Sequence, residues 1–205
     1  MLLVFLVFIN PLYTPNLASA TVLLNDLSAN NASGITGSDN NNINNTAINI
    51  TGSFLTYKNS TLGVSIGYPP NWQIIEGHQQ VLFVPPLQSN QNIYPEHLRI
   101  GVENFTSNNN TLSMFVQGNI DNLKTHYENF DLIQSTSTKL DDEPAKQIIY
   151  TTTSTGTTNF NLTVSKLYTI KYDKAYIITY EAQFGKYSQN LPTIQDMIHS
   201  FQLTK

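Results

Sequence analysis

The chain has 205 residues, a net charge of −4 and no cysteine, and only 12% of its residues are charged. The absence of cysteine excludes a disulfide framework, a thiol nucleophile, a cysteine-ligated metal and a lipidated cysteine. Because Arg99 is the sole arginine, nucleic-acid binding and a polybasic membrane-surface patch are disfavoured. No residue pattern indicates a cofactor, so we expect none.

The N-terminus has the pattern of a secretory signal peptide. Residues 2–9 (LLVFLVFI) form an unbroken apolar run, and Ala18-Ser19-Ala20 supplies the small-residue cleavage site. The run is too short to span a bilayer, which needs about 20 apolar residues. A buried N-terminal strand is the alternative. We predict a signal peptide over residues 1–20, export to the cell surface or the extracellular space, and no transmembrane span in the mature chain.

The segment after the leader is dominated by asparagine, serine, threonine and glycine, with isolated aliphatic residues. Such a segment cannot bury enough apolar surface to offset its conformational entropy. We therefore predict a disordered linker over residues 21–52 and a single folded domain over residues 53–205.

Asn-X-Ser/Thr sequons recur along the chain. In an exported protein they are glycan acceptors on exposed backbone. Chance is the alternative, because asparagine, serine and threonine are all abundant. The candidate acceptors are Asn31, Asn44, Asn49, Asn59, Asn104, Asn109 and Asn161.

Alternating apolar and polar residues predict a domain made mostly of strands. The segments are 54–57, 64–68, 81–84, 97–103, 132–140, 145–153, 159–170 and 175–182, and a turn over 171–174 joins the last two into a hairpin. Trp72 is expected to anchor the core. Apolar residues spaced by three and four predict a helix over 112–130, with Thr111 as N-cap, and a closing helix over 191–201, with Asn190 as cap. This pattern predicts the α+β class, an antiparallel sheet with packed helices.

Three stretches resemble the PsbP-like domain family. Residues 54–72 (FLTYKNSTLGVSIGYPPNW) are similar to the opening strand, turn and strand of those domains. Residues 143–150 and 175–180, the latter followed by the helix that ends at Phe201, also resemble the family. The resemblance implies an α-β-α sandwich related to the Ran-binding Mog proteins. The asparagine-rich style looks like that of archaeal exported relatives, and the matching positions carry over no functional residue.

Ser65 lies in a formal nucleophile-elbow motif, Gly63-Val64-Ser65-Ile66-Gly67. That motif needs a strand, a sharp turn at the serine and then a helix. Here the serine lies inside an alternating strand, and Pro69-Pro70 prevents a following helix. A solvent-facing strand serine is therefore favoured, and a serine hydrolase through Ser65 is kept as an alternative function.

Asp141, Asp142 and Glu143 form the densest acidic cluster. Carboxylate oxygens suit Ca²⁺ or Mn²⁺, but successive side chains in a turn rarely converge without ligands from elsewhere. A solvated hairpin tip is the favoured interpretation, and a Ca/Mn-binding module at this turn is a second alternative.

Tyrosines cluster late in the chain at Tyr168, Tyr172, Tyr176 and Tyr180. They form either an exposed stacking platform or, as strand aromatics more often do, cross-strand core pairs. The polar strand face of Asn161 and Thr163 is a further candidate contact surface. Taken together, the patterns predict a non-catalytic exported accessory or binding domain at the cell envelope. Its partner is a protein or an envelope component.

Overall fold

The structure is a computed structural model that describes residues 53–86, 94, 96–106, 111–127, 129–154 and 159–205. The predicted signal peptide and linker lie outside these residues, and so do the sequons at Asn31, Asn44, Asn49 and Asn109. Within the described ranges, no helix has the length and apolarity to cross a membrane.

Ten strands and two helices make up the described part of the chain. In order they are β1 (Leu55–Asn59), β2 (Val64–Tyr68), β3 (Gln73–Gly77), β4 (Gln80–Val84), β5 (His97–Asn104), α1 (Leu112–His126), β6 (Asp131–Leu140), β7 (Glu143–Ser154), β8 (Phe160–Lys171), β9 (Lys174–Gln183), α2 (Leu191–His199) and β10 (Gln202–Leu203).

The strands form two antiparallel sheets. The large sheet has seven strands in the order β3-β4-β5-β9-β8-β7-β6, and the small sheet has three in the order β1-β2-β10. Helix α1 packs on β7 and β8, whereas α2 packs on β2. The α+β class and the α-β-α sandwich are therefore confirmed, with the small sheet sharing a layer with α2.

Each face of the large sheet has its own apolar core. On one side, Val116 and Ile120 of α1 pack against side chains of β7, β8 and β9. On the other, the small sheet and α2 bury a larger cluster that contains Trp72, which is 8% exposed. The expectation that Trp72 anchors the core is therefore confirmed.

Helix α1 ends at His126, earlier than the apolar period predicted. The backbone of Tyr127 is extended, with φ −112° and ψ 121°. Phe130, which the pattern placed in the helix, nevertheless packs against the α1-side core. Similarly, α2 ends at His199, although Phe201 is only 2% exposed. The apolar spacing correctly predicted which residues face the core. Phe130 and Phe201, however, lie beyond the last residue of each helix.

The two predicted helix caps differ in chemistry. The Thr111 hydroxyl accepts a hydrogen bond from the Met114 N–H at 3.3 Å, as an N-cap does. Asn190 occupies the N-cap position of α2, but its side chain makes no cap bond. It donates instead to a Glu96 carboxylate oxygen at 2.9 Å. Asn190 therefore ties the start of α2 to the segment that precedes β5.

Candidate functional site

Ser65 lies in the middle of the small sheet rather than at an elbow. It is 4% exposed and pairs with Lys58 of β1 on one side and Gln202 of β10 on the other. Strand β2 continues beyond it to Tyr68, and no helix follows. The serine is thus neither solvent-facing, as the sequence suggested, nor presented to a substrate, and this placement does not favour the hydrolase alternative.

The acidic turn is a tight hairpin whose side chains are engaged separately. Asp141 and Asp142 have φ of 48° and 62°, the backbone of a two-residue turn between β6 and β7. The Asp141 carboxylate accepts a hydrogen bond from the Leu203 N–H at 2.9 Å. Glu143 forms an ion pair with Lys171 at 2.9 Å. In the part of the chain that the structure describes, no three histidine or acidic side chains are grouped to hold a metal ion.

Three of the four late tyrosines belong to the core, whereas Tyr172 lies in the β8–β9 turn and is 46% exposed. Tyr168, Tyr176 and Tyr180 are each at most 1% exposed. Tyr168 lies on the α1 side of the large sheet, and the other two lie on the opposite side. The Tyr180 hydroxyl donates to Glu96. They therefore cannot form a shared stacking platform, and of the two interpretations the structure favours core packing.

The asparagines of the described sequons differ in exposure and in the hydrogen bonds that their side chains make. Asn104 and Asn161 are exposed at strand ends, although the Asn161 side-chain oxygen accepts from the Thr153 hydroxyl at 3.0 Å. Asn59 is bonded at both ends of its amide. Its oxygen accepts from the Leu62 N–H and its nitrogen donates to the Tyr57 hydroxyl, each at 2.9 Å. Asn59 therefore has a structural role in the β1–β2 turn.

A row of side chains on the α1 side of the large sheet is the strongest candidate site. Residues directly opposite each other in neighbouring antiparallel strands point to the same face. The strand registers therefore place seven residues in one line across the sheet. We call this line the polar row; it consists of Ile75, Leu82, Arg99, Thr179, Lys166, Ile148 and Ser135.

Helix α1 packs over one part of this face, on β7 and β8, and the other part is accessible. We call the accessible part, over β3, β4 and β5, the open face. Its side chains include Ile75, which is 40% exposed, and Arg99, whose side chain is 33% exposed. Leu82 is half-buried, and Glu103 is exposed. The open face thus combines apolar and charged groups beside α1.

Gly101 makes a shallow depression on the open face next to Arg99. A Cβ atom built there would meet only the Ile177 carbonyl oxygen, at 3.9 Å. Since Arg99 and Glu103 are its neighbours on the same face of β5, their side chains stand on either side of this depression.

Glu181 lies on the same face, in the cross-strand row adjacent to the polar row, where it pairs with Val164. Its carboxylate has two partners. One oxygen accepts a hydrogen bond from the Tyr94 hydroxyl at 2.7 Å, and the other lies 3.9 Å from Arg99. Burial alone would raise the pKa of Glu181, but the charges of His97, Arg99 and Lys166 and the Tyr94 hydrogen bond together lower it. Glu181 is therefore an anion at neutral pH, and its carboxylate is an ion-pair partner of Arg99.

Lys166 is the most perturbed cation of the domain. Burial, and to a smaller extent the charge of Arg99, lower the pKa of Lys166 from 10.5 to about 8, although Glu181 and Glu103 act in the opposite direction. Lys166 takes part in neither of the ion pairs found among the described residues. Its ammonium group is therefore carried on a half-buried side chain and forms no ion pair with the described residues.

Sequence reasoning did not select this site, although it contained a signal. Lys166 interrupts the apolar stripe of Phe160, Leu162, Val164 and Tyr168, and such an interruption in a strand that faces a core is unusual. Arg99 is distinctive in the sequence only as the sole arginine. That the two share a row depends on the strand order β5-β9-β8, which joins segments far apart in the chain.

The sequence model of the PsbP-like protein family matches residues 25–203. No curated protein sequence matches the chain. Among solved structures, cyanobacterial PsbP (CyanoP) of Synechocystis is 14% identical and has a TM-score of 0.54, with 83% of this chain and 99% of that one covered. The Ran-binding protein Mog1p of Saccharomyces cerevisiae is 7% identical, with a TM-score of 0.52 and coverage of 74% and 96%. LpqN of Mycobacterium tuberculosis is 10% identical, with a TM-score of 0.54 and coverage of 69% and 83%.

The family match begins within the segment predicted as a linker and ends at the last strand, β10. At these identities the structural neighbours show a common fold and nothing finer. The match nevertheless covers most of the chain, and the residues that resembled the family form β1, β2 and the turn to Trp72. The chain therefore belongs to the PsbP-like protein family.

Proposed function

We propose that this protein is a non-catalytic accessory domain, exported to the cell envelope, that binds a protein partner on the open face. The observation that carries the proposal is the open face itself, where Ile75 and Leu82 adjoin Arg99 in one row beside α1. Protein interfaces commonly combine apolar side chains with arginine in this way. The proposal treats the opposite side of the large sheet as structural, because the small sheet and α2 pack there.

Two structural neighbours support the separate parts of the proposal. Mog1p is named for binding a protein, Ran. LpqN is described as involved in cell envelope biogenesis. Export rests on the N-terminal apolar run and the Ala18-Ser19-Ala20 site, which have the pattern of a cleaved leader.

Co-purification from the native envelope tests the proposal when it uses a matched pair of variants. Ile75→Arg places a charge on β3, the edge strand of the open face. Leu55→Arg likewise replaces an exposed aliphatic side chain by arginine, on the small sheet, where Leu55 is 47% exposed. We expect the tagged wild type and Leu55→Arg to retain the same partner and Ile75→Arg to lose it. Equal retention by both variants would rule out the open face.

N-terminal sequencing of the same tagged protein tests the export step separately. We expect a mature chain that starts at Thr21 in the envelope or extracellular fraction. A chain that keeps Met1 and fractionates with the cytosol would contradict the proposal, whatever partner it binds.

A further inference from the structure

Three buried hydroxyl groups on the α1 side of the large sheet, those of Thr152, Tyr168 and Thr179, have no hydrogen-bond partner among the described residues. Thr179 and Tyr168 lie close to Lys166, and Thr152 lies elsewhere on this face. Thr179 and Tyr168 are each 0% exposed. Neither the Thr179 Oγ1 nor the Tyr168 Oη has a partner among the described residues. An unpaired buried hydroxyl costs about 1–3 kcal/mol, and native proteins contain few of them. A single acceptor placed beside Thr179 and Tyr168 would satisfy both hydroxyl groups, and the described residues do not supply one there.

Both hydroxyl-bearing residues adjoin the cations of the polar row. Thr179 lies directly between Arg99 and Lys166, because it is paired with Arg99 across β5–β9 and with Lys166 across β8–β9. Tyr168 is two residues along β8 from Lys166 and therefore points to the same face. Two cations and two free hydroxyl donors are thus concentrated in one small area, next to the depression at Gly101.

The carboxylates of this area leave the ammonium group of Lys166 available. Glu181 is engaged by Tyr94 and Arg99. Glu103 is exposed to solvent at the rim, and it forms none of the ion pairs found among the described residues. A ligand that replaces solvent at Lys166 must therefore bring its own negative charge.

We propose that a carboxylate of an acidic segment of the partner protein binds beside Gly101, held by Lys166 and Arg99 and by hydrogen bonds from Thr179 and Tyr168. A carboxylate has two acceptor oxygens and a negative charge, so it satisfies hydroxyl donors and cations together. The apolar side chains of Ile75 and Leu82 continue the same row and offer contacts to the rest of a peptide segment. This inference rests on the proposed function and specifies the chemistry of the partner.

Binding of a fluorescein-labelled hexaglutamate peptide, followed by fluorescence anisotropy with the whole domain, tests the inference. Hexaglutamine is the uncharged reference, and glutarate is the free small carboxylate. We expect hexaglutamate to bind and hexaglutamine not to bind. Equal binding of both peptides would overturn the inference. Glutarate that binds as tightly as hexaglutamate would overturn the assignment to a protein segment.

Two variants and their matched controls locate the site. Lys166→Gln should weaken hexaglutamate binding about tenfold or more, because a charge-assisted contact is lost. Lys139→Gln, the same charge change on the exposed edge strand β6, should leave binding unchanged. Equal affinities of Lys166→Gln and wild type would overturn the proposal.

Thr179→Val separates a binding role from a structural one. Because the hydroxyl is unpaired, its removal should leave the unfolding midpoint unchanged or raised, yet weaken hexaglutamate binding about three- to tenfold. Thr152→Val removes another buried, unpaired hydroxyl outside this area and should not affect binding. A Thr179→Val domain that binds like wild type would overturn the role of this hydroxyl.

Capture of the native partner distinguishes this inference from the proposed function. If Ile75→Arg loses the partner but Lys166→Gln keeps it with wild-type affinity, the open face is an interface and the carboxylate site is wrong. If neither variant changes capture, the proposed function itself fails.

Discussion

The Asp141 carboxylate accepts a hydrogen bond from the backbone N–H of Leu203 at 2.9 Å and so ties the β6–β7 turn to the last strand. Strand β10 has only two residues and pairs with β2 alone. This bond therefore supplies a second attachment for the C-terminus, and it gives Asp141 a structural reason to stand in a turn with positive φ.

Asp141→Ala is expected to destabilise the domain by about 1–2 kcal/mol, because it removes this acceptor and leaves a residue with a poor tolerance of left-handed backbone. Asp141→Asn keeps an acceptor oxygen and tolerates φ of 48°, so it should cost much less. Urea unfolding of the three proteins measures the difference. An Asn variant as unstable as the Ala variant would show that the charge, and not the hydrogen bond, matters.

Trp72→Ala should cost about 3–5 kcal/mol of unfolding free energy, because it leaves a large cavity in the core between the sheets. The side chain is 8% exposed and belongs to the larger apolar cluster. Chemical denaturation followed by circular dichroism checks this value. A cost below about 1 kcal/mol would mean that Trp72 is accessible in solution and available for binding.

Lys166→Met should stabilise the domain in a pH-dependent manner. The pKa of Lys166 is about 8 in the folded state against an ordinary value of 10.5. The unfolded chain therefore holds this proton more tightly, and the folded state bears the cost of the buried charge at every pH below about 8. That cost disappears as the pH rises from about 8 to about 10.5. Replacement by methionine, which keeps the apolar stem, should add up to about 3 kcal/mol at pH 7.

The measurement is the difference in unfolding free energy between variant and wild type across this pH range. Tyrosines with raised pKa values also titrate above pH 10, but they are common to both proteins and cancel in the difference. Arg99, Glu181 and Glu103 face Lys166 and are present in both. Lys139→Met, at an exposed position, should give a difference that stays flat with pH. A Lys166→Met variant less stable than wild type at pH 7 would mean that the ammonium group has a stabilising partner.

Asn59→Gln and Asn161→Gln should separate a structural sequon from a surface one. The longer glutamine side chain cannot keep both hydrogen bonds that Asn59 makes in the β1–β2 turn, so Asn59→Gln should cost about 1 kcal/mol. Asn161 is exposed, and its replacement should change stability little. Thermal unfolding of the unglycosylated domain measures both. We predict glycans at Asn104 and Asn161 in preference to Asn59 in a glycosylating host, and intact-glycopeptide mass spectrometry tests this order.

The sequence predicted the long strands β7, β8 and β9 to within two residues, because each is rich in β-branched and aromatic residues that are buried against the cores. It missed β3, where Ile74 and Ile75 are adjacent and break the alternation, and β10, which is too short to show a period. Phe130 and Phe201 were correctly predicted to face the core, but they were wrongly predicted to be helical. Apolar spacing indicates which way a side chain points and does not indicate where a helix ends.

The candidate site was harder to predict for a topological reason. Ser65 and the acidic turn were candidates because each lies in a short local motif, a nucleophile elbow and a cluster of carboxylates. Arg99, Thr179 and Lys166 come from three strands, and only the pairing of β5 with β9 and of β9 with β8 brings them into one row. A local pattern could mark Lys166 as unusual, but it could not indicate its neighbours.

The central claim, that a partner protein binds the open face, is tested most directly by photo-crosslinking in the native envelope. A photoreactive phenylalanine analogue is placed at Ile75 in one protein and at Leu55 in another, and crosslinked products are identified by mass spectrometry. We predict one dominant crosslinked protein from position 75 and none of that protein from position 55. Absence of a crosslink at position 75, or the same product from both positions, would contradict the claim.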